Sequence, residues 1–192
     1  ALQSLFIEVL MAPGFSDEAK QILTQKQNRR LLTLDSENDR LAPLTRTLVR
    51  KSIEGGWLVQ TEEPPIIDFS KAKIATSQKP TEQQIESMRF GVRVCEQVKS
   101  NAIVLVKDRT LIGMGAGQPN RLMSVKIAGE VAGAECANSV LASDAFFPFP
   151  DAVKMAVDLG INCIVQPGGS VNDEKVINVA NDNDISMIFT KQ

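Results

Sequence analysis

Histidine and tyrosine are both missing from this chain of 192 residues. Without histidine it cannot build a Ser-His-Asp triad, a Cys-His pair or a histidine-ligated metal site from its own side chains. The three cysteines, Cys95, Cys136 and Cys163, are far apart and odd in number. They form neither a disulfide framework nor a CxxC zinc site, and the expected compartment is a reducing cytoplasm. No apolar run approaches the roughly 20 residues of a membrane span. The opening ALQSLFIEVL lacks the basic start and small-residue cleavage site of a signal peptide. Lysine and arginine number 21 against 23 acidic residues, a net charge of -2. With no basic tract, neither nucleic acid nor an anionic membrane is an expected partner. What remains for chemistry is amides, Lys and Arg, carboxylates and backbone N–H groups, or residues supplied from elsewhere.

At 43% hydrophobic and 23% charged, the composition is that of an ordinary globular protein. There are no repeats and no low-complexity segment. Leu5–Ala12 reads as a strand stopped by Pro13-Gly14. Ser16 opens a short helix, with Asp17 and Glu18 complementing its dipole and Ala19, Ile22 and Leu23 on one face. Arg30–Leu34 closes a βαβ unit. After the polar turn Asp35–Arg40, the segments Leu44–Arg50 and Gly56–Gln60 form an extended pair. Pro64-Pro65 through Pro80 is the least periodic stretch and the expected boundary, dividing the chain into 1–64, a connector at 65–80 and a second part at 81–192.

The clearest helix starts at Thr81, where T-E-Q-Q is a capping box with Gln84 at the third helical position. Ile85, Met88, Val92 and Cys95 continue as an apolar stripe. Asn101–Lys107 and Leu111–Gly115 are strands about the turn Asp108-Arg109-Thr110, followed by a helix from Asn120 to Ala134. Beyond Val140–Ser143, helices (Asp151–Leu159, Asp173–Ala180) alternate with strands (Ile161–Val165, Ser186–Thr190). Such alternation predicts an α/β layer with parallel strands.

Four junctions carry the candidate chemistry. Gly113-Met-Gly-Ala-Gly-Gln-Pro-Asn120 runs from strand to helix, the context for an anion at a helix N-terminus. Its GxGxG spacing fits neither a Rossmann nor a P-loop signature, which puts dinucleotide binding far down, and a close-packed turn is the competing reading. Arg121, directly after it, suits a phosphate or carboxylate. Val98-Lys-Ser-Asn101 joins a helix to an apolar strand, so Asn101 and Lys99 serve either as turn residues or as groups facing a cleft. Ser143-Asp-Ala-Phe-Phe-Pro-Phe149 gathers three phenylalanines in a loop, either core packing or an aromatic slot for a flat heterocycle flanked by Asp144 and Asp151. Gln166-Pro-Gly-Gly-Ser170 is another strand-to-helix turn, before a helix whose expected cap is Asn172. The expectation is that Asn101, Arg121, Phe146, Asp151 and Ser170 line one crevice at the strand ends. The cysteines read as small buried hydrophobes.

Together, VKSNAIV (98–104), GMGAGQPNR (113–121), ASDAFFPF (142–149) and QPGGS (166–170) resemble, in order and spacing, the AICAR transformylase half of the bifunctional purine-biosynthesis family that also carries IMP cyclohydrolase. Looser similarity extends over FIEVLMAP (6–13) and GGWLVQ (55–60), so nearly the whole chain is covered. The resemblance implies cytidine-deaminase-like three-layer αβα subdomains without zinc, the end of a first at 1–64 and a second at 81–192. It implies formyl transfer from 10-formyltetrahydrofolate, as cosubstrate, to the 5-amino group of AICAR, giving FAICAR, at a homodimer interface. By motif, Asn101, Arg121 and Phe146 fall on AICAR-contacting positions, with Asn101 also stabilising charge. Leu122, Asp151, Ser170 and Val171 fall on folate-contacting positions. A monovalent cation near Ser100 and Asp144 is left open.

The departures from the family pattern are specific. Its catalytic Lys-His pair belongs to an upstream segment that this sequence does not include, and its Arg-His-Phe-x-His ending would follow Gln192. Glu96-Gln97 stands where Lys-His is common, and Pro150 where arginine is common. The expectation is therefore the C-terminal portion of a transformylase, with a non-catalytic folate- and nucleotide-binding or dimerisation module as the alternative.

Overall fold

A computed structural model describes residues 6–34, 47–62 and 69–190. The contacts divide the chain into two units, Ala1–Pro64 and Pro65–Gln192.

In the first unit, β1 (Val9–Ala12) and β2 (Arg30–Thr33) pair in parallel, Val9 opposite Arg30, with α1 (Asp17–Leu23) as the crossover. Ser16 caps α1 by accepting from the Ala19 N–H at 3.2 Å, and Pro13-Gly14 ends β1 as expected. The strand is shorter than the apolar run, however: residues 6–8 lie outside it, and Leu5 is not among the described residues. An antiparallel hairpin, β3 (Thr47–Ile53) and β4 (Gly56–Glu62), turns at Gly55, whose φ of 80° suits glycine. The expected pair is thus present from Thr47 onward. Residues 35–46, which include the turn Asp35–Arg40 and Leu44, and residues 63–68 lie outside the described ones.

The second unit is a six-stranded mixed sheet with helices on both faces. Its order is β5 (Lys73–Ile74), β10 (Ser186–Phe189), β9 (Cys163–Gln166), β8 (Val140–Ser143), β6 (Ile103–Lys107) and β7 (Thr110–Gly115). β8, β9 and β10 run parallel, as the alternation of helices and strands required, while β6, β7 and β5 run antiparallel to their neighbours. Part of the stretch 65–80 is built into this sheet. Phe69–Lys71 forms a 3-10 turn, and Lys73–Ile74 pairs with β10.

Side-chain alternation sorts the strands into two cores. Val104, Val106, Val140, Ala142, Cys163, Val165 and Ile188 face α2 (Glu82–Glu96), meeting its stripe of Met88, Val92 and Cys95. Ile103, Leu105, Leu141, Ile164 and Met187 face α3 (Arg121–Ala132), α4 (Asp151–Asp158) and α5 (Asp173–Asn181). The capping box forms in full: Gln84 N–H donates to the Thr81 hydroxyl, and the Thr81 N–H to the Gln84 side chain. The turn between β6 and β7 is tight because Asp108 and Arg109 both take positive φ, 48° and 57°.

Candidate functional site

The topology brings the four sequence junctions to one end of the sheet. β8, β9 and β10 are parallel, so Ser143, Gln166 and Phe189 mark their common carboxyl ends. Ile103, at the start of antiparallel β6, pairs with Ser143 and also with Gly115 at the end of β7. Asn101, Gly117, Arg121, Asp144 and Ser170 therefore lie around the same edge, where α3, α4 and α5 also begin.

Asp144 is the hub of this edge. One carboxylate oxygen accepts from Arg121 Nη2 at 2.8 Å and from the Ala102 N–H at 3.0 Å. The other accepts from the Ser100 hydroxyl. Arg121 and Asp144 are nearly enclosed, with side-chain exposures of 9% and 16%. Burial alone would raise the Asp144 carboxyl. The hydrogen bonds from Arg121, Ser100 and Ala102 and the guanidinium charge outweigh it, holding the group below the ordinary 3.8. Arg121 Nη1 donates to the Phe146 carbonyl at 3.3 Å, and its buried Nε has no partner among the described residues. The guanidinium, of a kind that suits a phosphate or carboxylate, is held by a carboxylate and a carbonyl of this chain.

Asn101 is tied at both ends. Its amide Nδ2 donates to the Gln118 carbonyl at 2.7 Å, and its own carbonyl accepts from the Ser124 hydroxyl at 3.0 Å. The Ser100–Asn101 peptide bond is cis. Among the described residues its Oδ1 has no partner. Lys99 folds its stem beside Gly117, whose N–H donates to the Lys99 carbonyl at 2.8 Å.

The glycine run resolves into packing. A Cβ on Gly113 would stand 2.2 Å from the Ala128 carbonyl oxygen, and one on Gly115 2.0 Å from that of Ser124. Both glycines lie inside β7 and let α3 approach the strand backbone to backbone. Asn120 caps α3 through the Met123 N–H at 2.8 Å, and Gly117, with φ of 66°, is the turn glycine.

The three phenylalanines do not gather into one slot. Phe147 is fully buried in the core, whereas Phe146 and Phe149 are 41% and 59% exposed. The loop that holds them is anchored by Gln166, whose Oε1 accepts from the Phe147 N–H at 2.8 Å, and by Asn172, whose Nδ2 donates to the Pro148 carbonyl at 2.8 Å. Asn172 sits at the cap position of α5 without capping it with its side chain. Asp173 closes the glycine turn instead, accepting from the Gly169 and Ser170 N–H groups at 2.7 and 3.1 Å. Asp151, at the first position of α4, is exposed, Val171 fully so. Ser170 is half-buried, and Leu122 packs partly on the core.

A cavity of about 300 Å³ opens on the α2 side of this end, lined by Val92, Cys95, Glu96, Val98, Ser143, Asp144, Pro167 and Thr190. Asp144 alone among its lining residues belongs also to the Arg121 network. The three cysteines are free and buried, and burial pushes the Cys95 and Cys163 thiols up to about 12. Among the described residues, no group of three or more cysteines and carboxylates is placed to hold a metal, and no helix is long and apolar enough to cross a membrane.

Fold and site define a mixed α/β protein that collects a buried arginine–carboxylate pair, an amide and an exposed phenyl ring at the carboxyl ends of parallel strands, where open α/β sheets hold ligands. A family model described as the AICARFT/IMPCHase bienzyme matches residues 1–131. The chain is 46% identical over 189 residues to the bifunctional purine biosynthesis protein PurH of Anoxybacillus flavithermus (strain DSM 21510 / WK1), and 47% to that of Bacillus thuringiensis (strain Al Hakam). Each alignment covers 98% of this chain but 36% of the relative. Likeness to solved structures is weak: RibD of Acinetobacter baumannii, form 2, has a TM-score of 0.32 at 19% identity, covering 55% of this chain and 33% of that one. That level supports no inference about fold. This chain belongs to the AICARFT/IMPCHase bienzyme family, and it spans about a third of the length of the curated relatives it matches.

Proposed function

We propose that the chain is the C-terminal, nucleotide- and folate-binding part of a formyltransferase that moves a formyl group from 10-formyltetrahydrofolate to the 5-amino group of AICAR, giving FAICAR. In this reading the second unit is a cytidine-deaminase-like subdomain without zinc, and residues 1–64 end a first one. The working protein is a cytoplasmic homodimer. The observation that carries the reading is the convergence of Ser100-Asn101, Arg121, Asp144 and Phe146 at the strand ends, in a chain of a purine-biosynthesis family.

The chemistry divides between two neighbouring regions. The exposed Phe146 ring offers a face to a flat imidazole carboxamide. Asn101 presents the second N–H of its Nδ2, the first being given to the Gln118 carbonyl, to the oxygen that gains charge as the amine nitrogen attacks the formyl carbon. Arg121, fixed by Asp144 and bonded to the Phe146 carbonyl, orders the loop beneath the nucleotide. Leu122, Asp151, Ser170 and Val171, at the starts of α3, α4 and α5, are assigned to the folate, with the Asp151 carboxylate accepting from the pterin's amino edge. The oxygens of Ser143, Asp144 and Thr190 around the cavity are the hard donors an alkali cation takes. They would hold one near Ser100, and no step depends on it.

The attacking amine must lose a proton, and general acid–base help is worth ~10²- to 10⁴-fold. With no histidine in the sequence and Asp144 held ionised by Arg121, the base comes from outside these residues. That favours binding over turnover for the chain by itself. The test is calorimetric titration with AICAR. Saturable binding that weakens on Asn101→Ala supports the site, and undiminished binding to that variant removes Asn101 from it.

A further inference from the structure

Two side chains stitch the aromatic loop to the glycine loop, and neither contact serves the element its residue begins or ends. Gln166 closes β9, and its side chain, on the same face as Ile164, is fully buried beside Phe147 and Met187. A buried amide is unfavourable unless partnered. Here its oxygen takes the Phe147 N–H, while among the described residues its nitrogen finds only the Met187 sulfur at 3.3 Å, a weak acceptor. An apolar residue of the same size would fill this core as well, so what the glutamine adds is its hold on the loop. Asn172 likewise stands where a helix cap belongs and spends its side chain on the Pro148 carbonyl, 24 residues away. Both bonds fall just after Phe146 in the chain, at the Phe147 N–H and the Pro148 carbonyl, and Arg121 holds the Phe146 carbonyl itself.

We infer that Gln166 and Asn172 are positioning residues that hold the Phe146 ring in register with the Ser170–Val171 turn, so that the nucleotide and folate regions are mechanically one site. The inference rests on the reading of Phe146 and Ser170 given above. It implies that occupying either region orders the other, since a loop pinned from one side loses less freedom when its second ligand arrives.

The experiment uses the complete natural protein that carries this sequence. Asn172→Asp keeps the shape but removes the N–H that Pro148 accepts. Asn172→Ser is a second, shorter variant in case the first does not fold. Expected is a rise in KM for AICAR on the order of tenfold, little change in kcat and an unchanged thermal midpoint. Hydrogen exchange should also be faster at the Phe147 and Phe149 amides. A kcat that falls with the thermal midpoint while KM stays fixed would mean a merely structural bond. Unchanged kinetics or unchanged exchange would likewise overturn the inference. Wild-type protein without formyl transfer would reject the functional reading instead, and the exchange measurement would still decide whether Asn172 holds the loop.

Discussion

Arg121 Nη2 lies 2.8 Å from Asp144 Oδ1, in a pair that joins the first residue of α3 to the residue just past β8. Both side chains are largely withdrawn from water, so removing one charge leaves the other buried without its counter-ion. Asp144→Asn should therefore cost about 2–4 kcal/mol, below the full penalty for a wholly buried pair because the carboxylate keeps some exposure. Urea unfolding of the second unit reads this directly. A loss under about 0.5 kcal/mol, in the range of ordinary surface pairs, would contradict it.

The same pair fixes a pH dependence. The Asp144 carboxyl sits below its ordinary value in the folded state, so the unfolded chain binds the proton more readily. Its contribution is present above about pH 4 and is lost as pH falls through the lowered native value. The urea midpoint should drop on acidification below pH 4, and Asp144→Asn should flatten that part of the curve. An identical acid limb in the variant would show that other carboxylates set it.

The close approach of β7 and α3 gives a steric prediction. Gly115→Ala would place a methyl 2.0 Å from the Ser124 carbonyl oxygen, backbone against backbone. Overpacking of this kind costs about 3 kcal/mol, lowering the thermal midpoint by roughly 6 to 12 °C for a protein of this size. A midpoint within 2 °C of the parent would mean that the helix shifts freely.

Much of this was legible in the sequence, and the reasons are local. The Thr81–Gln84 box, the Asp108-Arg109 turn and the alternation after residue 150 each depend on neighbours within a few positions. β5 was not legible, because two residues become a strand only by pairing with β10, more than 110 positions away. The candidate residues were found by type, but their partners were not. Nothing near Asp144 says that it holds Arg121, nothing near Gln166 says that it is buried, and Asn172 looks like a cap by position. Phe146 and Phe147 are adjacent, and the backbone sends one to solvent and one to the core.

The cysteines give a further test. Burial raises the Cys95 and Cys163 thiols to about 12, so in the native protein at pH 8 neither should react with a thiol-disulfide reagent within minutes, while the unfolded chain reacts fully. By linkage, folded molecules hold these protons longer, so stability is retained below pH 9 and declines as pH rises from 9 toward 12. Rapid native labelling of either residue would show that the α2 face opens easily.

On the function proposed above, these residues supply the nucleotide and folate site of a formyltransferase, and the base comes from elsewhere. The most direct measurement is formyl transfer, followed as tetrahydrofolate release from 10-formyltetrahydrofolate and AICAR, by the 192-residue chain and by the complete natural protein side by side. A competent complete protein and an isolated chain at least ~100-fold slower are expected. Equal rates would show that these residues suffice for the proton transfer, and a complete protein inert toward both substrates would contradict the assignment of the site.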